Sequence, residues 1–446
     1  MLPERAICFF VIVMLTLIGL VWGLLNTRRI IEAPFLYATG MALILCPQLY
    51  VVAGDSTRVP DEAFWVYCIM VMACTVALYL GYFQKPKHKR RRKHPVVPPS
   101  LDPIRTYRFG LALACLGGYG AYQLSKMGTI TVWQGWAVYW INVMAFIVPG
   151  ITLMLIAYAR SPNFRRLIPI FIFTLIPLSW ATDSGRRGAT LTLPLMFALP
   201  FLIHNKSLRV PRWAIIVGLC LGFIVVYAFP VWRGQFKEHD YLQTMKDHPL
   251  SEIIEGTFTG NSSKPLEIAD GMIVTGARYQ FGNYEWGVSG LYNMLIANYV
   301  PGSIIGQDVK ASLMMRGGIG HEWVTEAYEI PVAFYTAKSG YEDLFSQFSF
   351  LGCIVLYFVG RGYRKVHEAA LHGHDGRAVM FLCFFLWFPA SIAYGALTSN
   401  VILAIPQLAV MLLAFRWCLV KPKNSRGIVG NTFMSTSNAL RRIPAR

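Results

Sequence analysis

The sequence predicts an all-α polytopic integral membrane protein with about eleven transmembrane helices and one long outer-face segment. Three observations predict it. The 446 residues are 55% hydrophobic and only 14% charged, too little polar surface for a soluble chain of this size. Apolar runs recur along the chain, each near the roughly 20 residues that cross the hydrocarbon core. Charge is sorted: the chain carries a net +18, yet residues 232–342 hold more than half of its 23 Asp and Glu and only eight of its 41 Lys and Arg.

The apolar runs fall at 6–25, 34–53, 63–83, 108–125, 135–158, 167–182, 188–204, 213–231, 344–361, 377–397 and 400–420. Domain organisation follows: eight spans over 1–231 with a basic loop at 84–107, the outer segment 232–342, three spans over 343–420, and a basic tail at 421–446. Short loops rich in Lys and Arg mark the cytoplasmic side. Arg28-Arg29, Lys85–Lys93, Arg160/Arg165/Arg166, Lys206/Arg209/Arg212, Arg361/Arg364/Lys365 and Lys421-Pro-Lys423 fall on one side when the amino terminus is outside and the carboxyl terminus inside. Loops with Asp55/Asp61/Glu62, the 126–133 connection and 232–342 then face out. Arg186-Arg187 is the exception to this rule.

The run Lys85-Pro-Lys-His-Lys-Arg-Arg-Arg-Lys93 lies beside a span end, so it reads as a topology determinant and anionic-lipid contact rather than a nucleic-acid patch. Five prolines over 86–103 make the next stretch a flexible linker. The first span has no small-residue cleavage site and is followed by Arg28-Arg29, which predicts a retained helix. All nine cysteines lie in or at the spans, so no disulfide framework or cysteine metal site is implied. His372-Gly-His374 reads as a solvated loop.

Within 232–342, Pro265–Gly282 reads as an amphipathic helix with Leu266, Ile268, Ala269, Met272, Ile273 and Ala277 near one face. Val288–Val300, closed by Pro301, is apolar enough to lie in the interface. The glycines of Arg316-Gly-Gly-Ile-Gly320 then permit a tight backbone approach before a helical stretch that ends at Pro331. On that stretch Glu322, Glu326 and Glu329 recur at i, i+4 and i+7, one helical face, with His321 at its start. A His and clustered carboxylates supply what a general base needs, proximity to an acceptor hydroxyl and neighbours that raise proton affinity. The competing reading is a solvated acidic face with His321 as a cap or packing residue.

Arginines gather around this segment. Asp183-Ser-Gly-Arg186-Arg187-Gly188 sits in a tight outer turn, Arg233 follows the eighth span, and Arg278 and Arg316 lie within the outer segment. A guanidinium fork matches phosphate oxygens two at a time. Arg186, Arg187, Arg233, Arg278 and Arg316 are therefore diphosphate-binding candidates, each of which could instead pair with a local acid.

Ser184-Gly-Arg-Arg-Gly188, Gly290-Leu-Tyr-Asn-Met-Leu-Ile-Ala-Asn-Tyr-Val-Pro301, Glu326-Ala-Tyr328 and Phe345-Ser-Gln-Phe-Ser-Phe-Leu-Gly352 resemble the bacterial O-antigen polymerases, the Wzy-type oligosaccharide repeat unit polymerases. The likeness covers roughly residues 180–365, and the chain departs from the family pattern at Gly302, where members often carry a basic residue. The resemblance implies a GT-C-like membrane glycosyltransferase of the bacterial inner membrane. It would transfer a polyprenyl-diphosphate-linked oligosaccharide onto another lipid-linked repeat unit at the outer face, in O-antigen or exopolysaccharide biosynthesis. It implies no cofactor and no metal, because arginines can neutralise the charge developing on a diphosphate leaving group. His321 or Glu322, supported by Glu326, would be the catalytic base; Tyr279, Tyr284 and Trp286 would stack on sugar. The lipid-linked oligosaccharide and the bilayer are the implied partners, with a chain-length regulator and a flippase beside them, and no nucleic acid.

Other classes stay open at the level of sequence. A flippase or transporter of a lipid-linked glycan predicts broken helices and polar groups near the bilayer midplane, and the spans show few, mainly Gln123, Asn142 and Gln407. An O-antigen ligase shares the donor chemistry and differs in acceptor. A non-enzymatic assembly subunit is the fourth reading.

Overall fold

A computed structural model describes residues 3–84, 98–127, 136–184, 187–204, 210–236, 249–259, 267–282, 284, 289–315, 324, 339–371, 375–393, 395 and 397–420. The chain is an all-α membrane protein. Six helical stretches are long and apolar enough to cross a bilayer, Pro3–Leu25, Ala33–Gly54, Asp61–Phe83, Trp136–Arg160, Gly340–Leu371 and Asn400–Cys418, and Arg212–Ala228 and Gly376–Ser391 are shorter apolar helices. Among the described residues, the apolar runs of the sequence lie mainly on helix.

The amino-terminal half begins with α1 (Pro3–Leu25), α2 (Ala33–Gly40), α3 (Cys46–Gly54) and α4 (Asp61–Phe83). A five-residue π turn, Met41–Leu45, joins α2 to α3, so one apolar run makes a single continuous but locally widened helix. Next come the short strand β1 (Ser100–Leu101) and α5 (Pro103–Lys126), followed by α6 (Trp136–Met144), α7 (Ile147–Arg160), α8 (Phe164–Ser184), α9 (Arg187–His204) and α10 (Arg212–Phe236). Asp102 caps α5, its Oδ1 accepting from the backbone N–H of Ile104 at 2.8 Å and of Arg105 at 3.0 Å, which satisfies two of the donors a helix start leaves open.

The segment expected outside the membrane contributes α11 (Leu250–Thr259), α12 (Glu267–Phe281), α13 (Ser289–Tyr299), α14 (Gly302–Ile305) and α15 (Gln307–Ser312). The chain then forms α16 (Gly340–Phe348), α17 (Gly352–Leu371), α18 (Gly376–Phe385), α19 (Phe388–Ser391), α20 (Leu397–Cys418) and the strand β2 (Leu419–Val420). β2 pairs antiparallel with β1, Leu101 opposite Leu419.

Two expectations are corrected here. The run 344–361 is not an unbroken helix: Ser349, with φ 50° and ψ −144°, ends α16, and a 3-10 turn over Ser349–Leu351 leads into α17. A non-glycine residue at positive φ is uncommon and persists where its surroundings over-determine it. Gly352 directly follows the turn, and a Cβ there would stand 2.8 Å from the Leu344 carbonyl oxygen. Likewise α12 is not a surface helix with one apolar face. Residues 271–278 are all buried, because α12 packs against α3, α4 and α16.

One large core joins these elements: Tyr67, Met70 and Cys74 of α4 pack with Met272 and Ile273 of α12, Phe345 of α16 and Leu356 of α17. A second core, with Leu153, Leu199, Phe384 and Met411, lies among α7, α9, α18 and α20. Helices α4 and α17 approach closely at small residues. A methyl built on Gly81 would overlap the Tyr357 carbonyl oxygen, and one on Gly360 the Leu78 carbonyl oxygen, the small-residue packing that lets helix backbones meet where lipid removes the hydrophobic drive.

The two ends of the bundle are held differently. Where α1 and α4 begin, the Arg5 guanidinium is 1% exposed; its Nη2 lies 2.5 Å from Asp61 Oδ1, and it donates to the carbonyls of Val52 at 3.2 Å and Val59 at 2.7 Å and sits over the Phe64 ring. In the neighbouring loop the Thr57 hydroxyl, and then Arg58, hold the Asp55 carboxyl down at about 2. The opposite end gathers the basic residues. There Trp22 Nε1 donates to Glu32 Oε2 at 2.9 Å, Arg364 donates to Glu368 at 2.7 Å and to the Tyr82 carbonyl at 2.9 Å, and Arg160 donates to the Leu101 carbonyl at 2.6 Å.

Candidate functional site

Helix α4 serves as a ruler into the bundle. Tyr67 lies six residues, about 9 Å, from its start at Asp61, and Thr75 about 21 Å from it. The ring of Tyr341 lies 6.2 Å from that of Tyr67 and 6.4 Å from that of Tyr37. Its hydroxyl donates to Tyr37 at 2.7 Å, and Tyr37 shares a 2.9 Å hydrogen bond with Thr75. The start of α16 therefore lies well inside the bundle and not at its rim.

That placement carries polar groups inward. Ser339 caps α16, accepting from the Glu342 N–H at 3.2 Å, while Tyr67 donates to the same hydroxyl at 3.0 Å. Glu342 and Asp343 are each 3% exposed, and Ser346 and Gln347 are buried beside them. Gln347 Nε2 donates to Asp343 Oδ1 at 3.0 Å, an i, i+4 pair along the helix. Gly340 cannot carry a side chain: its N–H donates to the Ile392 carbonyl at 2.9 Å, and a Cβ there would stand 2.8 Å from that oxygen. The break after α19 thus holds the entry of α16.

Helix α12 closes the other side. Gly271 and Arg278 are seven residues apart and share a face; a Cβ at Gly271 would stand 3.1 Å from Glu342 Oε2. Arg278, 2% exposed, lies two turns farther along that face, with Thr275 fully buried between them. Gln48 of α3 anchors the start of the helix by accepting from the Ile268 N–H at 3.2 Å. One cationic and two carboxylate side chains buried at membrane depth are costly, and such groups mark functional pathways by default. Among the described residues, Arg278, Glu342 and Asp343 are the charged side chains buried where α12 and α16 pack.

No family model, curated protein or solved structure matches the chain. The site therefore rests on its own geometry.

Of the residues expected to act, Arg278 is buried on the same helix as Gly271, about 10 Å beyond the point where α12 meets Glu342. Tyr279 is 47% exposed with its ring edge-on to Phe350 at 6.3 Å, and Tyr284 packs on Phe345 at 5.7 Å. Both stand at the rim of the cluster, beside the break at Ser349. Arg187 opens α9, and Arg233 lies within α10 rather than after it, both placed by backbone alone. Arg186, Trp286, Arg316, His321, Glu322 and Glu326 lie outside the described residues, as do Glu329 and the Lys85–Lys93 run. One neighbour of the expected base is described: Val324 is fully buried in the same core as Tyr67, Met272 and Phe345. Val324 itself packs in the core that also takes in Tyr341 and Leu344 of α16.

Glu342, Asp343, Ser346 and Gln347 were not singled out in the sequence. Their signal was present as acids at i, i+4 spacing from an amide and a hydroxyl at the start of an apolar run, Asp343 with Gln347 and Glu342 with Ser346. It is masked when Glu342 is counted with the acidic outer segment and Phe345 with the span.

Proposed function

We propose that the chain is a membrane glycan polymerase, transferring a polyprenyl-diphosphate-linked oligosaccharide onto another lipid-linked repeat unit at the outer face of the bacterial inner membrane. One observation carries the reading. The stretch Phe345–Gly352, which resembles the O-antigen polymerases, is the end of α16 and its break, and it packs with the helix that buries Arg278. In this reading Arg278 neutralises the diphosphate leaving group, with Arg186, Arg187, Arg233 and Arg316 as further phosphate ligands. His321 or Glu322, supported by Glu326, deprotonates the acceptor hydroxyl. Tyr279, Tyr284 and Trp286 hold sugar. The reading takes eleven spans in a GT-C-like arrangement, amino end out and carboxyl end in, with 232–342 facing the donor lipid.

A second reading, a flippase for the same lipid-linked glycan, draws support from the broken α16 and α18–α19 stretches and the buried carboxylates, features common where solutes cross a membrane. Inactivating the gene in its host and resolving surface glycan on a gel separates the readings. A polymerase leaves surface glycan with a single repeat unit. Unattached long polymer would identify a ligase, and repeats confined to the inner face a flippase; either result overturns the proposal.

A further inference from the structure

At the basic end of the bundle the start of α5 and the end of α20 form a rigid platform. Asp102 N–H donates to the Cys418 carbonyl at 3.0 Å, β1 pairs with β2, and Gly376 N–H donates to the Pro99 carbonyl at 2.9 Å. Arg160 reaches in from α7 to cap the Leu101 carbonyl at 2.6 Å. On this platform opens a cleft of about 310 Å³ lined by Arg105, Arg108 and Trp417.

The two arginines differ from Arg160, Arg364 and Arg166 at this end. Arg160 and Arg364 spend their donors on protein carbonyls and Glu368. Arg166 donates to Ser161 and covers Tyr107. Arg105 has only a loose contact with Asp102, 3.9 Å away, and is 60% exposed; Arg108 makes no hydrogen bond or ion pair among the described residues. They are one turn apart on α5 and therefore point the same way. Trp417, 60% exposed and braced edge-on by Phe109 at 6.2 Å, forms the wall. Tryptophan at this level suits the membrane interface.

The faces that continue from the cleft are apolar and uncovered. Leu413, one turn before Trp417, is 61% exposed, and Leu116 on α5 is 45% exposed. A headgroup in the cleft would therefore have its acyl chains against hydrocarbon-compatible surface.

We propose that Arg105, Arg108 and Trp417 form a binding site for the phosphodiester of an anionic phospholipid in the leaflet at the basic end, which the charge rule makes the cytoplasmic one. Guanidinium forks bind phosphate oxygens in pairs, and basic recesses between helices on that side bind anionic headgroups. The site is separate from the Arg278 cluster and does not rest on the glycan reading.

The test is native mass spectrometry of the full chain in detergent, titrated with phosphatidylglycerol, phosphatidylcholine or inorganic phosphate. Wild type should retain phosphatidylglycerol and release phosphatidylcholine. R105Q/R108Q should lose roughly thirtyfold in phosphatidylglycerol affinity, the loss expected for two arginines near a leaflet surface. R105K/R108K keeps the charge without the fork and should fall between. W417F tests the wall without touching charge and should weaken retention severalfold. Equal retention of the two lipids by wild type, or equal retention of phosphatidylglycerol by wild type and a folded R105K/R108K protein, would overturn the site. Displacement of the lipid by millimolar inorganic phosphate would do so too, by showing a free-anion site.

Discussion

Adding one methyl at Gly360 tests whether α4 and α17 meet as closely as described. The new Cβ would overlap the Leu78 carbonyl oxygen and stand 3.1 Å from both Leu78 C and Tyr82 N. These are backbone atoms, so no flexible side chain can yield, and the helices must part by about 1 Å to restore ordinary contact. Overpacking of this kind costs about 1–3 kcal/mol. Gly362 is the control on the same helix: nothing lies within 4 Å of its Cβ position. Gly362→Ala should stabilise by about 0.5–1 kcal/mol, the helix-propensity gain, so the two variants should differ by roughly 1.5–4 kcal/mol. Gly81→Ala meets the Tyr357 backbone in the same crossing. Once the helices have parted for one methyl the second fits more easily, and the double variant should cost less than the sum of the singles. Reversible denaturation of the purified protein in mixed micelles measures these differences. Equal stability of Gly360→Ala and Gly362→Ala, or strict additivity of Gly81→Ala with Gly360→Ala, would refute the close crossing.

Two further predictions bear on the ends of the bundle and on the site. Arg5→Ala should destabilise by about 2–4 kcal/mol, because it strands two buried carbonyls, whereas Asp61→Asn should cost under about 1 kcal/mol since Asp61 is 64% exposed; equal losses in thermal unfolding would assign the stability to the ion pair itself. Arg278→Ala should lower glycan extension at least a hundredfold with the protein still folded in the membrane, and Arg278→Lys should recover little, because a lysine lacks the fork; normal polymer length in both would remove Arg278 from the proposed chemistry.

Helix positions were legible because a run of apolar residues long enough to cross a bilayer has few alternatives to helix in lipid. α4 and the 34–53 run illustrate this, the second even across its π turn. Partnering was less legible. The pattern Ile268, Ala269, Met272, Ile273, Ala277 reads as one apolar face with a wet opposite face, yet the opposite face of α12 meets Glu342 and Tyr67 instead of water. A polar residue satisfied by another polar residue looks, in sequence, like one satisfied by solvent. Arg5 shows the same blindness over distance, since its partner Asp61 lies 56 positions away and no local spacing links them. The break at Ser349 was invisible because it depends on neighbours that hold a serine at positive φ, not on a residue that favours it. Arg278 was found, because an arginine in an apolar helix is conspicuous however it is paired.

The inward position of α16 has a consequence for how the protein is made. A nascent segment opening with two adjacent carboxylates, Glu342 and Asp343, gains little from entering lipid on its own, since each acid costs several kcal/mol there. Its acceptors, Tyr67 of α4 and the Gly271 face of α12, are synthesised earlier. The order of synthesis thus matches the order of packing: the helices that receive α16 precede it in the chain.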